Sequence, residues 1–220
     1  MKKDGLRNNM KLFLTSTVDV VAHDIAKRID ISAGNKLVFI DTAAEPETGD
    51  KQWLKDDRQS LVDVGFAVTD YTITNKTEDQ LFAELKGFDY VYLSGGNTFY
   101  LLQQSIKSGF IHVVRKLIVD FKKTYIGTSA GSIIAGPKLQ DYLIEDDPLV
   151  KSHEGAQAYG LVNFTILPHW GSELFRKLYL EGRLEIAYKK DQVPLVLLTD
   201  SQYVLVEDEV FQIIDVSKNN

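Results

Sequence analysis

The chain has 220 residues, 44% of them hydrophobic and 25% charged, which is typical of a soluble globular protein and predicts a single domain over residues 1–220. A net charge of -6 and the absence of a basic run argue against a nucleic-acid partner, and no apolar stretch of the sequence is long enough to span a bilayer. The absence of cysteine excludes disulfides, thiolate metal sites and a cysteine nucleophile, and without a recognisable signal peptide we expect a cytoplasmic protein.

The first part of the chain alternates short apolar runs with amphipathic segments. The predicted strands cover residues 10–15, 36–42, 67–72, 89–93 and 124–126, and the predicted helices cover residues 19–29, 53–64, 78–86, 99–106 and 111–121. This alternation is typical of βα units that build a parallel sheet. Functional side chains are therefore expected at the carboxyl ends of the strands.

The pattern changes after residue 135. A polar, acidic segment over residues 141–158 is predicted to cross the surface. Two strands follow at residues 161–167 and 193–199, with a helix at 172–187 between them. A terminal hairpin is predicted at residues 203–207 and 209–215. The predicted fold is α/β with three layers. Helices flank a mostly parallel central sheet, and a hairpin ends the chain.

Residues 127–131 read Gly-Thr-Ser-Ala-Gly and fit the G-x-S-x-G nucleophile elbow. A nucleophilic serine has to stand at the tip of a tight turn between a strand and a helix. These two elements then pass so close together that glycine is needed two residues on either side. A glycine-rich turn without any chemistry fits the same five residues, so the motif alone does not identify Ser129 as a nucleophile.

A serine hydroxyl needs a neighbouring base, and the sequence offers four histidines. His23 and His112 fall within predicted helices, where surface or packing roles are expected. His153 lies in the acidic segment. His169 directly follows a predicted strand and is therefore expected on the same edge of the sheet as Ser129, as the base.

Asp200 also follows a predicted strand directly and is the best-placed acid to orient this histidine. Asp146 and Asp147 are the competing candidates, although a solvated loop explains at least one of them. The order serine, histidine, aspartate differs from the order in α/β-hydrolases, which argues against the lipase and esterase fold.

A second glycine turn follows the strand over residues 89–93. The N–H groups of Gly96 and Ala130 are candidates for an oxyanion hole, and the neighbouring Asn97 is a candidate substrate-binding residue. An anion-binding nest and a plain tight turn are the alternatives. Neither G-x-G-x-x-G nor a P-loop is present in the sequence.

Four motifs together resemble those of the peptidase E (aspartyl dipeptidase) and cyanophycinase family of serine peptidases. They are SGGNTFYLL at residues 94–102, IGTSAG at 126–131, LPHW at 167–170 and LTDS at 198–201. The resemblance implies a fold like that of class I glutamine amidotransferases, with serine in place of their cysteine. It also implies Ser129 as nucleophile, His169 as base, and Gly96 and Ala130 as oxyanion donors.

The resemblance carries further expectations for individual residues. The third triad member of peptidase E is a glutamate, where this chain has Asp200. An aspartate that matters for activity in the family matches Asp146, taken here as substrate-binding. Peptidase E holds its substrate carboxylate with an arginine, for which Arg183 and Arg176 are the candidates.

The main hypothesis is a serine peptidase that cleaves short peptides, with N-terminal Asp-Xaa dipeptides as candidate substrates. It requires no metal or organic cofactor and no nucleic-acid or membrane partner, and it leaves a homodimer open. A cyanophycinase-like hydrolase ranks lower because that branch has a glutamine at the position of Asn97. A catalytically silent binding protein with the same fold is the third hypothesis.

Overall fold

A computed structural model of the chain describes residues 10–139, 156–190 and 193–219. The strands are β1 (Lys11–Thr15), β2 (Lys36–Ile40), β3 (Ala67–Tyr71), β4 (Tyr90–Leu93), β5 (Thr124–Thr128), β6 (Thr165–Leu167), β7 (Leu195–Leu197), β8 (Gln202–Glu207) and β9 (Val210–Asp215). Seven of them form the central sheet, in the order β3-β2-β4-β5-β1-β8-β9.

Five strands of this sheet, β1 to β5, run parallel to one another, whereas β8 pairs antiparallel with β1 on one side and with β9 on the other. In the middle, Phe13 of β1 lies opposite Ile126 of β5 on one side and Leu205 of β8 on the other. The predicted mostly parallel sheet and its C-terminal hairpin are thereby confirmed.

Helices cover both faces of the sheet. They are α1 (Val18–Lys27), α2 (Gln52–Asp63), α3 (Glu78–Leu85), α4 (Thr98–Ser108), α5 (Phe110–Arg115), α6 (Ala130–Ile133), α7 (Glu173–Leu178) and α8 (Leu184–Lys190). A π-helical turn, Lys116–Asp120, extends α5, and a second one, Tyr179–Arg183, joins α7 to α8. No helix in the described part of the chain has the length and apolar character needed to cross a membrane.

The hydrophobic core lies in two clusters, one on each face of the sheet. Adjacent residues of β1 show the division, since Leu12 and Leu14 belong to one cluster and Phe13 to the other. Helices α1 and α2 contribute to the cluster that contains Phe13, and α3, α4 and α5 contribute to the other. The central strands are buried on both faces, which explains why they read as continuous apolar runs.

The predicted strands at residues 161–167 and 193–199 are shorter than expected and lie outside the central sheet. β6 and β7 pair in parallel as a separate two-stranded sheet. The N–H groups of Leu161 and Val162 donate to the Ala135 carbonyl beyond α6, so these residues do not start the strand. The predicted strand over residues 161–167 is therefore wrong over its first half.

Candidate active site

Ser129 stands alone between the end of β5 and the start of α6, with φ 48° and ψ -105°. Positive φ is unusual for a residue with a side chain. A Cβ at Gly127 would lie 2.6 Å from the Gly131 carbonyl oxygen, and one at Gly131 would lie 2.2 Å from that of Leu93. Both flanking glycines are therefore required by close backbone contacts, as the spacing predicts.

His169 lies two residues beyond β6, and both its backbone and its ring are held by neighbouring residues. Its backbone N–H donates to the Ser16 hydroxyl, and its φ is 60°. Its ring stacks on Phe175, with the centroids 4.7 Å apart and an interplanar angle of 12°. The same Ser16 hydroxyl donates to the Leu198 carbonyl at 3.2 Å. One hydroxyl at the end of β1 thus connects both loops of the small sheet to the central sheet.

Ser129, His169 and Asp200 form one continuous line of hydrogen bonds. Ser129 Oγ is 3.2 Å from His169 Nε2, and His169 Nδ1 is 2.8 Å from Asp200 Oδ1. A proton on Nδ1, donated to Asp200, leaves Nε2 as the acceptor for the serine hydroxyl. The hydrogen bond from His169 holds the pKa of Asp200 below its usual range, and Thr17 Oγ1 adds a second hydrogen bond at 3.0 Å.

The glycine turn after β4 packs directly against the Ser129 turn. The Gly131 N–H donates to the Ser94 carbonyl at 3.2 Å, which joins the two turns. A Cβ at Gly95 would lie 3.5 Å from the Ser129 Cβ. The loops that carry the two candidate oxyanion donors are therefore adjacent.

Gly96 adopts φ +123°, in a region that residues with a side chain avoid. A Cβ at this position would lie 2.2 Å from the Ala43 carbonyl oxygen, which also accepts the Asn97 N–H at 2.8 Å. The turn therefore packs closely against the loop after β2, and only glycine fits at position 96.

A cavity of about 690 Å³ opens onto the hydrogen-bonded line. Ser129, His169 and Asp200 all contribute to its wall, and so do Arg183 and Asp57. The Arg183 side chain is buried as well. The cavity therefore combines a buried cation with a buried acid beside the serine.

Of the two candidate arginines, only Arg183 lines this cavity. Its guanidinium carbon lies 5.2 Å from the ring centroid of Tyr179, another cavity residue. Arg176 is exposed, pairs with Glu173 at 3.4 Å and lines a separate, smaller cavity.

The remaining candidate residues are distributed as follows. The Asn97 side chain accepts the Tyr100 N–H and caps α4, and Thr98, not Asn97, is among the described residues that line the cavity. His23 and His112 are exposed on helices. The candidates Asp146, Asp147 and His153 lie outside the described residues.

Several residues of the site were not predicted. Ser16 and Thr17 directly follow β1, so the strand-end argument that selected His169 applies to them equally. Asp57 has no such signal, because it reads as an ordinary polar residue of an amphipathic helix. Its Oδ2 accepts a hydrogen bond of 2.8 Å from the Tyr92 hydroxyl, and burial raises its pKa to about 7.

The sequence was compared with known protein families, and the model of peptidase family S51 matches residues 12–214. The chain belongs to peptidase family S51. As a member of this family it is a serine-type peptidase, and the resemblance seen in its motifs is confirmed.

Individual proteins similar to this chain agree with this assignment. An uncharacterized peptidase of Listeria innocua is 28% identical over 200 residues, covering 90% of this chain and 93% of its own. Peptidase E of Shewanella amazonensis is 34% identical over 86 residues, covering 39% of this chain and 35% of its own. A solved structure from Listeria monocytogenes EGD-e superposes with a TM-score of 0.81 at 23% identity, covering 94% of this chain and 98% of its own, which shows the fold.

Proposed function

We propose that this S51 peptidase hydrolyses short peptides through a Ser129–His169–Asp200 triad and an acyl-enzyme. The observation that carries the proposal is the unbroken hydrogen-bonded line, with 3.2 Å from Ser129 Oγ to His169 Nε2 and 2.8 Å from His169 Nδ1 to Asp200 Oδ1. Both distances suit proton transfer from a hydroxyl to an oriented imidazole.

The reaction follows from this arrangement. Ser129 Oγ attacks the scissile carbonyl carbon while its proton passes to His169 Nε2, and Asp200 stabilises the imidazolium that results. The imidazolium then protonates the leaving amine as the C–N bond breaks. Water attacks the ester that remains, again losing a proton to His169, and the proton finally returns to Ser129 Oγ.

The oxyanion of the tetrahedral intermediate needs donors beside Ser129. In this proposal the Gly96 and Ala130 N–H groups supply them, since the two turns are joined through the Gly131 N–H and the Ser94 carbonyl. Each such donor is typically worth about 3 kcal/mol in the transition state.

We further propose Arg183 as the residue that binds an acidic side chain at the substrate N-terminus. A guanidinium pairs with a carboxylate through two parallel hydrogen bonds, and a buried site strengthens this pairing. A cavity of about 690 Å³ suits one small ligand. Asp-Xaa dipeptides are therefore the proposed substrates.

The test is hydrolysis of a panel of dipeptides and tripeptides with Asp, Glu, Met, Ala, Leu or Arg at the N-terminus. Wild type is compared with Ser129→Ala, and Arg183→Gln with the matched exposed variant Arg176→Gln. We expect Ser129→Ala to abolish cleavage. We expect Arg183→Gln to lower kcat/KM for Asp-Leu at least tenfold more than for Ala-Leu, while Arg176→Gln leaves both unchanged.

Each part of the proposal can fail separately. Full activity in Ser129→Ala would rule out the triad. Equal losses on Asp-Leu and Ala-Leu in Arg183→Gln would assign that arginine a structural role and leave the acidic specificity without support. Labelling with a fluorophosphonate probe tests independently whether Ser129 is an activated nucleophile, because an activated Ser129 reacts selectively with the probe and a silent site does not.

A further inference from the structure

Asp57 is a buried carboxyl in the wall of the catalytic cavity that the proposed reaction does not use. Only 3% of the residue is exposed, yet it belongs to the cavity lining. An isolated charge of this kind is costly to bury, because the protein interior solvates ions poorly. The 2.8 Å hydrogen bond from the Tyr92 hydroxyl satisfies one oxygen without neutralising the charge.

The groups that act most strongly on Asp57 are not cationic. Tyr92 of β4 donates to it, while Asp19 of α1 and Asp56 on its own helix repel its charge. A backbone N–H at Asp19 adds a weaker hydrogen bond. This side of the cavity is therefore complementary to a positive group on the ligand.

Two sets of contacts connect the part of α2 that carries Asp57 to the turns around the reacting serine. The Tyr92 hydroxyl that donates to Asp57 also interacts with Thr128, the residue immediately before Ser129. Trp53, one helical turn before Asp57, lies 3.5 Å from the position of a Cβ at Gly95, and that position is itself 3.5 Å from the Ser129 Cβ. Trp53 and Asp57, both on α2, therefore line the same cavity as Ser129.

In a peptide bound for cleavage of its first bond, the α-ammonium group is attached to the carbon next to the scissile carbonyl. We propose that Asp57 binds this free α-ammonium group, an inference that rests on the proposed function because it assigns a subsite of the same cavity. The ring of Trp53 adds a cation–π surface to the subsite. A blocked or internal peptide carries a neutral amide at this point and leaves the carboxylate unpaired, so the subsite selects free N-termini.

Binding is measured by calorimetry in Ser129→Ala protein at pH 7.5, which separates recognition from cleavage. Two pairs of ligands differ only in the α-amine: Asp-Leu with 3-carboxypropanoyl-leucine, and Ala-Leu with propanoyl-leucine. In at least one pair, we expect the ligand with the α-amine to bind tenfold or more tightly than the ligand without it. In Ser129→Ala/Asp57→Asn protein, the ratio of the two dissociation constants is expected to fall below threefold.

Asp56→Asn in the same background is the matched control. It removes a carboxylate from the neighbouring position, which is exposed and hydrogen-bonded to Gln52 outside the cavity lining, and the ratio is expected to persist. Asp57→Ser runs in parallel with Asp57→Asn, so one folded variant is sufficient for the comparison.

The inference is overturned if both members of each pair bind equally or not at all, or if the ratio survives in the Asp57 variants. The proposed function fails by a different result, namely the absence of Ser129-dependent hydrolysis by the wild type. Because the binding ratio is measured in protein that lacks Ser129, the two failures are distinguishable.

Discussion

At the scale of single residues, the position of Asp200 is set by two hydroxyl-bearing neighbours of β1 as much as by its own strand. Its shorter side chain, compared with the glutamate of peptidase E, still brings Oδ1 to 2.8 Å from His169 Nδ1. Thr17 Oγ1 donates to the same oxygen at 3.0 Å, and Ser16 fixes the His169 backbone. The orientation of the carboxylate therefore depends on Thr17.

Asp200→Asn is expected to lower kcat by about 10³–10⁴ with little change in KM, because the amide no longer holds the imidazole in the required tautomer.

Thr17→Val removes only the hydrogen bond from Thr17 to Asp200 and should lower kcat by about tenfold. Steady-state kinetics on the best peptide of the panel measures both effects. Thr17→Ser keeps the hydroxyl and should retain activity, whereas an equal loss in Thr17→Ser and Thr17→Val would contradict the assigned role.

Asp57 also makes the stability of the protein depend on pH. Burial raises its folded-state pKa from 3.8 to about 7, so between these values the folded state holds a proton that the unfolded state has released. The contribution of Asp57 to the free energy of unfolding is therefore largest below pH 4 and is lost as the pH rises through about 7.

Asp57→Asn does not titrate and should consequently gain stability over the wild type as the pH increases. Between pH 4.5 and pH 8 we expect a relative gain on the order of 2–4 kcal/mol, measured by urea denaturation at both values. Asp56→Asn serves as the control and should show a much smaller change. A wild-type–variant difference that is the same at both pH values would show that Asp57 titrates normally.

At the scale of elements, the site depends on two glycine turns that are pressed against other backbone. Gly131 contacts the end of β4, and Gly96 contacts the loop after β2. The side chain of Glu45 in that loop accepts hydrogen bonds from the hydroxyls of Thr72, Thr74 and Tyr100. The loop that supports Gly96 is thus held by the segment after β3 and by α4.

Gly96→Ala should destabilise the protein by about 2–4 kcal/mol and abolish cleavage, because the added Cβ meets the Ala43 carbonyl oxygen at 2.2 Å in a backbone conformation with φ +123°. Thermal denaturation and peptide hydrolysis measure the two losses. Gly87→Ala is the matched control, since a Cβ there meets nothing within 4 Å. Wild-type activity in Gly96→Ala would exclude this turn from the site.

Ser129 was selected by its G-x-S-x-G turn, and strand-end reasoning predicted that His169 and Asp200 lie on the same edge of the sheet, since each follows an apolar run. It did not predict that β6 and β7 form their own sheet, because short apolar runs carry no information on which strands pair. Nor did it separate Arg183 from Arg176, since both occupy one helical segment and only tertiary packing determines which is buried.

At the scale of the whole molecule, burial is distributed unevenly across the central sheet. Every residue of β4 is buried, as are all residues but the first in β1 and β5. The edge strands β3 and β9 contain no buried residue. Local opening is therefore expected to begin at the two edges, while the middle opens only with global unfolding.

Hydrogen exchange followed by mass spectrometry should consequently show the slowest amides in β1, β4 and β5. Amides of β3 and β9 are expected to exchange at least about a hundredfold faster, because sub-global opening exposes them. Peptides that cover β2, which lies next to the edge, should fall between. Uniform protection across all seven strands would indicate that the sheet opens only as one unit.

The division of strands between two sheets has a consequence for how activity is lost. Ser129 is carried by the large sheet, whereas His169 and Asp200 are carried by loops of the small one, and the hydroxyls of Ser16 and Thr17 connect the two. The small sheet packs on the larger core cluster through Ile166, Leu167 and Val196, so a small shift in this packing is expected to lengthen the 3.2 Å contact between base and nucleophile before the central strands separate. We therefore expect mild heating or denaturant to lower activity before the central sheet unfolds, and we expect Ser16 and Thr17 to determine how much of this stress catalysis tolerates.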